Sequence, residues 1–123
     1  MTVVSRQSST AEFPPNTNVV KVSDDYPKDE IFDVFKCQDA VVLSLNYMAE
    51  MKHHNMLVDV SVEAGVKRLI PSIWGGRLDL LEAREIFPLA ASKGALLEYV
   101  KSKAPSAPDW SYTAVACGLF HDQ

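Results

Sequence analysis

Asp39-Ala-Val-Val-Leu-Ser-Leu45 and Val66-Lys-Arg-Leu-Ile-Pro71 are two short apolar runs separated by one long helical stretch. The first is apolar without alternation, the pattern of a strand covered on both faces in a parallel sheet. Between the two, Met51, Val58 and Val62 recur at helical spacing over roughly Met48 to Ala64, with Leu57, Ser61 and Ala64 beside that stripe. Gly65 then supplies a residue able to turn left-handed just past a helix end. Strand, helix, strand in this order is a right-handed βαβ crossover, so the fold class is α/β with a mostly parallel sheet.

The same alternation continues on both sides. Thr2-Val-Val and Val19-Val-Lys-Val22 read as strands, and Pro27 opens a short amphipathic helix carrying Ile31, Val34 and Phe35. Downstream, residues 77 to 91 are ambiguous, with helical spacing at Leu80, Leu81 and Arg84 before Pro88 interrupts it. A helix follows from about Ala90 to Lys103, and a last strand over Ser111 to Ala116. The count is about five strands and three or four helices.

The chain has 123 residues, enough for about one domain. At 47% hydrophobic and 23% charged it is neither disordered nor fibrous. A net charge of −4 argues against nucleic acid or an anionic membrane as main partner. No apolar run approaches the ~18 residues of a membrane span, no secretory signal is visible, and two cysteines make no disulfide framework. Cytoplasm is the default location.

An open parallel sheet binds ligands at the carboxyl ends of its strands. Arg6 stands at one such end and suits the 2′-phosphate that separates NADP from NAD, or else is a surface arginine. Lys93 falls in the first turn of its helix, where the dipole disfavours a cation. It either reaches inward to a ligand for proton transfer or lies on a solvated face beside Glu98. Ser44 and Ser72 can bond a ribose or nicotinamide amide, or cap a turn. Tyr99 lies six positions after Lys93, on another helix face, so no Tyr-x-x-x-Lys pair exists and Tyr99 reads as packing. His53 and His54 point about 100° apart and offer no metal-ligand spacing. The Gly-x-Gly-x-x-Gly and Gly-x-x-Gly-x-x-Gly fingerprints are both absent.

Taken together, Thr2-Val-Val-Ser-Arg-Gln-Ser-Ser9, Val19-Val-Lys-Val22, Gln38-Asp-Ala-Val-Val42, Val62-Glu-Ala-Gly-Val-Lys-Arg-Leu-Ile-Pro-Ser72, Lys93, Glu98-Tyr-Val100, Trp110-Ser-Tyr-Thr-Ala-Val115 and Gly118-Leu-Phe120 resemble the NmrA-like and isoflavone-reductase-like branch of the atypical short-chain dehydrogenases. The resemblance implies an NADP-preferring, doubly wound Rossmann-like domain reducing a small secondary metabolite by hydride transfer, the alternatives being a non-catalytic dinucleotide-sensing regulator or interaction module of the same branch, or an inactive fragment. It makes Lys93 the active-site lysine and Arg6 the 2′-phosphate ligand. It also sets Ser44, Asn46, Pro71, Ser72, Gly118 and Phe120 in loops beside cofactor and substrate. Ile73 and Trp74 stand where the family commonly has Glu and an aromatic residue.

By the same resemblance, 1–123 is a single partial NAD(P)-binding domain without the first strand, its Gly-rich turn or the substrate-covering region. In strand order 3-2-1-4-5-6 that first strand is central. With strands ~4.8 Å apart, its absence opens a slot of roughly 10 Å. Three expectations follow: weakened or lost NADP binding, either pairing of Thr2–Ser5 beside Val41–Leu45 or poor packing there, and protein partners or self-association through unpaired sheet edges.

Overall fold

The computed structural model describes residues 1–75, 85 and 88–118. Among the described residues, five strands and three α-helices follow one another as β1 (Thr2–Arg6), β2 (Asn18–Val22), α1 (Lys28–Phe35), β3 (Ala40–Val42), α2 (Tyr47–Glu63), β4 (Arg68–Ile70), α3 (Pro88–Lys103) and β5 (Ser111–Tyr112). All the pairings are parallel, as crossover connections require. The ambiguous stretch of 77 to 91 lies mostly outside the described residues.

The strands form two sheets, β1-β2 and β3-β4-β5. β1 does not pair with β3, so the slot expected between them stays open. A cavity of about 580 Å³ occupies it, lined by Met1 to Val4 on one side and Ala40 to Leu45 on the other.

Local chemistry explains the element ends. Glu30 in the first turn of α1 accepts from Ser23 N at 2.8 Å and Ser23 Oγ at 2.7 Å. Those two bonds hold its carboxyl below the usual glutamate range. The Asn46 side chain caps α2 by accepting from Ala49 N at 3.0 Å. At the other end Gly65 takes φ +75°, Val66 N reaches Ser61 O and Gly65 N reaches Val62 O, which is the Schellman pattern. α3 begins at Pro88, two residues before the expected start. A proline is tolerated in a first turn because no intrahelical acceptor awaits its missing N–H.

α2 packs on both α1 and α3. Tyr99 of α3 donates to Asp59 of α2 at 2.8 Å, while Lys103 pairs with Asp59 at 2.7 Å and lies 4.5 Å from the Tyr99 ring centre. The core joins Ile31 and Phe35 of α1, Leu57, Val58 and Val60 of α2, and Val100 of α3 to Val41, Leu43 and Leu69 of the strands. Burial alternates along the β3 region: Val41 and Leu43 are buried, whereas Ala40, Val42 and Ser44 are exposed, Val42 at 59%. Helices therefore cover one face of this strand, not the two that a doubly wound sheet implies. Among the described residues, no helix is long and apolar enough to cross a membrane.

Candidate functional site

The chain segments leaving β1, β3 and β4 carry the polar groups. After β1 the chain turns sharply, with Gln7 N on Val22 O and Ser9 N on Arg6 O. The Lys21 ammonium folds over this turn, donating to Ser9 O at 2.9 Å and Arg6 O at 3.3 Å. The Arg6 guanidinium makes no hydrogen bond or ion pair among the described residues. Nearby, hydrogen bonds from Ser8 keep the exposed Asp24 carboxyl below its usual range, helped by the Arg6 charge. This corner presents two cations and one carboxylate.

The segments after β3 and β4 are laced together. Ser72 Oγ accepts from Leu45 N at 3.0 Å, and Trp74 Nε1 donates to Leu43 O at 3.0 Å. Ile73, Leu96 and Leu97 form a small apolar cluster under these segments. Gly118 takes φ +80° and donates from its N to Gly75 O. Ile73 and Trp74, where the family pattern has Glu and an aromatic residue, thus serve packing and loop closure.

Lys93 points inward, but to a protein partner. It sits in the second turn of α3, because the helix starts earlier than expected, so the first-turn dipole argument does not apply. Its ammonium meets Glu50 Oε2 at 3.1 Å, Glu50 Oε1 at 3.2 Å and Trp74 O at 3.4 Å. Of these, the Glu50 Oε1 and Trp74 O contacts are hydrogen bonds, the Trp74 one being the weaker by distance. Glu50 is 1% exposed. Burial pushes its carboxyl above the usual range, and Lys93 opposes that shift only in part. One turn further along α2, His54 is buried with Nδ1 on Asn55 Oδ1 at 3.3 Å and Nε2 without a partner. Burial and, more weakly, the Lys93 charge push its pKa down, favouring the neutral ring.

The other predicted residues take mixed positions. Ser72 and Pro71 are buried, and the Ser72 hydroxyl is committed to Leu45 N. Asn46 is a helix cap. Ser44 is exposed and lines the slot cavity; Arg6, Asn46, Pro71, Ser72, Lys93 and Gly118 do not. Phe120 lies outside the described residues. Tyr99 packs against the core, as read, and also bonds Asp59. His53 packs on Tyr26 with ring centres 5.1 Å apart. No group of three His, Cys, Asp or Glu fit to hold a metal occurs among the described residues.

Sequence reasoning missed Glu50 and weighed His54 only as a metal ligand. Their signal was their i,i+4 spacing on the true buried stripe of α2, which runs through Glu50, His54, Leu57, Val58 and Ser61. Met51 and Val62, read as that stripe, are only half-buried.

Ser72→Ala removes the acceptor for Leu45 N and should cost about 1–3 kcal/mol in chemical denaturation. A loss below a few tenths would show that solvent satisfies that amide.

Comparison with known proteins agrees with the α/β fold. Oxidoreductase aprR of Aspergillus flavus is 32% identical over 121 residues, spanning 98% of this chain and 40% of that protein. Isoflavone reductase superposes with TM-score 0.71 at 17% identity, covering 97% of this chain and 41% of that one. The Citrobacter sp. triphenylmethane reductase, solved with NADP(H), gives 0.61 at 18% identity over 85% of this chain and 34% of that one. AtPrR2, solved with NADP+ and (+)-pinoresinol, gives 0.64 at 20% identity over the same shares. No protein-family model matches.

Proposed function

We propose that this chain, an isoflavone-reductase-like relative of an oxidoreductase, forms part of the cofactor layer of an NADP-dependent reductase acting on a small secondary metabolite. The observation that carries this reading is the Arg6 corner. A guanidinium without a hydrogen bond among the described residues, with Lys21 beside it, stands at the carboxyl end of a parallel strand, where such sheets hold phosphates. Two of the solved relatives hold NADP.

When bound, the cofactor supplies the hydride. Arg6 holds the 2′-phosphate, and the β3 and β4 segments, closed on each other by Ser72 and Trp74, shape the nicotinamide side. Lys93 holds its proton at Nζ and reaches a ligand by giving up its weakest contact, Trp74 O. Glu50 keeps the ammonium in place by one hydrogen bond and an ion-pair contact. The glycine-rich turn that cradles a pyrophosphate does not occur in this sequence, so this chain binds NADP weakly.

A fluorescence titration tests the reading. NADPH should bind with Kd weaker than about micromolar and should be preferred over NADH by about tenfold, as a charge-assisted phosphate contact gives. Arg6→Ala should erase that preference. Equal binding of both nucleotides, or none, sinks the assignment of Arg6; micromolar affinity or better sinks the argument from the missing glycines. The holding of Lys93 by Glu50 and Trp74 O favours a second reading, a dinucleotide-binding regulator without chemistry. NADPH binding with no turnover of any carbonyl or enone substrate, by a chain extended to the full length of its relatives, would decide for it.

A further inference from the structure

We propose that Asp24 is a specificity-determining residue of the Arg6 corner: its carboxylate occupies the anion position on the turn after β1 and competes there with the 2′-phosphate of a dinucleotide. This inference rests on the Arg6 reading above and deepens it.

Of the three amides of residues 7 to 9, one is given to a side chain. Gln7 N donates to Val22 O and Ser9 N to Arg6 O, main-chain acceptors that an incoming ligand leaves in place. Ser8 N donates to Asp24 Oδ1 at 3.0 Å. That amide is where the turn can receive an anion, and the protein's own carboxylate already lies on it. Lys21 braces the turn from the other side, donating to Ser9 O at 2.9 Å, Arg6 O at 3.3 Å and Ser5 Oγ at 3.4 Å. With those contacts made inside the protein, its ammonium holds the shape of the turn, and Arg6 is left to meet a phosphate.

No ion pair joins Asp24 to Arg6 among the described residues, so the guanidinium keeps its donors while a carboxylate stands near. Hydrogen bonds from Ser8, helped by the Arg6 charge, hold Asp24 below the usual carboxylate range, so it is charged at neutral pH. A phosphate brought to Arg6 carries nearly two negative charges and meets that carboxylate as repulsion. In water-like surroundings such a neighbour weakens binding by about threefold to tenfold.

Asp24→Asn keeps a carbonyl oxygen for Ser8 N and removes the charge. The probes are adenosine 2′,5′-bisphosphate and 5′-AMP, which differ by the 2′-phosphate alone, titrated at neutral pH and followed by amide NMR, which reads millimolar affinities. The bisphosphate should bind Asp24→Asn about threefold to tenfold more tightly than the unaltered chain, with 5′-AMP changed less than about twofold. In the unaltered chain the Ser8 amide resonance should move with the bisphosphate and stay with 5′-AMP. A carboxylate that only braces the turn predicts no gain. Unchanged or weaker bisphosphate binding by Asp24→Asn overturns the proposal, and so does an equal gain for 5′-AMP. Arg6→Ala separates this inference from the reading beneath it. If Arg6→Ala weakens the bisphosphate while Asp24→Asn brings no gain, Arg6 keeps its assignment and Asp24 loses its own. If Arg6→Ala changes nothing, or the bisphosphate binds neither chain, both fall.

Discussion

Lys93→Ala should destabilise the fold by about 3 kcal/mol at neutral pH, because it leaves a buried carboxylate without its counter-charge. Glu50 is 1% exposed and its only charged partner among the described residues is Lys93. The loss is a large fraction of the 5–15 kcal/mol that holds a typical domain together. It should also depend on pH. Burial raises the folded-state pKa of Glu50. The stabilisation linked to its proton is therefore complete below the ordinary glutamate range and is lost as pH rises through the raised value. Without Lys93 nothing opposes the burial, so the variant suffers most at neutral pH and recovers on mild acidification, as Glu50 becomes neutral. Urea unfolding at the two pH values reads this directly. An equal loss at both would mean that the packing of the lysine stem matters more than the charge. The double variant Glu50→Leu with Lys93→Met should regain most of the stability, since a well-packed apolar pair replaces a buried ion pair at little cost.

Trp110→Ala is the other large effect, a loss of about 3–5 kcal/mol. The ring is 6% exposed in the main core, and its Nε1 donates to Ser61 Oγ at 3.0 Å. Ser61 in turn donates to Val58 O at 2.7 Å, so the indole ties the entry to β5 to the interior of α2. Trp110→Phe keeps much of the apolar volume and leaves the Ser61 hydroxyl its bond to Val58, so it should cost closer to 1 kcal/mol beyond the lost ring volume. Equilibrium unfolding of the two variants compares the terms. Equal losses would assign the effect to the hydrogen bond instead of the burial.

Sequence and structure agree where local rules act and part where distant residues meet. The βαβ unit through Val41, Leu57, Val58 and Leu69 is legible because apolar periodicity and Gly65 mark it. The resemblance also led to a slot between Thr2–Ser5 and Val41–Leu45, and β1 and β3 are not paired with each other. One-sided covering of β3 was not legible: Ala40 and Val42 have the composition of a strand buried on both faces, and composition does not say where the helices lie. Glu50 and Lys93 are 43 residues apart, a pairing no local pattern encodes. Ser72 and Asn46 lie in the segments after β4 and β3, where Ser72 Oγ accepts from Leu45 N and Asn46 Oδ1 from Ala49 N, the first of them a contact no local pattern announces.

The two sheets also differ in how far apart in sequence their strands must be brought together. Thr2 and Asn18, joined across β1 and β2, are 16 residues apart, whereas Lys67 and Ser111, joined across the entry to β4 and β5, are 44 apart. On loop-closure entropy alone the second ladder costs about 0.9 kcal/mol more to close. The amino-terminal ribbon can therefore form as a local nucleus while the carboxyl-terminal ladder waits for α2 and α3 to dock, and during that interval the ribbon has no neighbouring sheet to shield it.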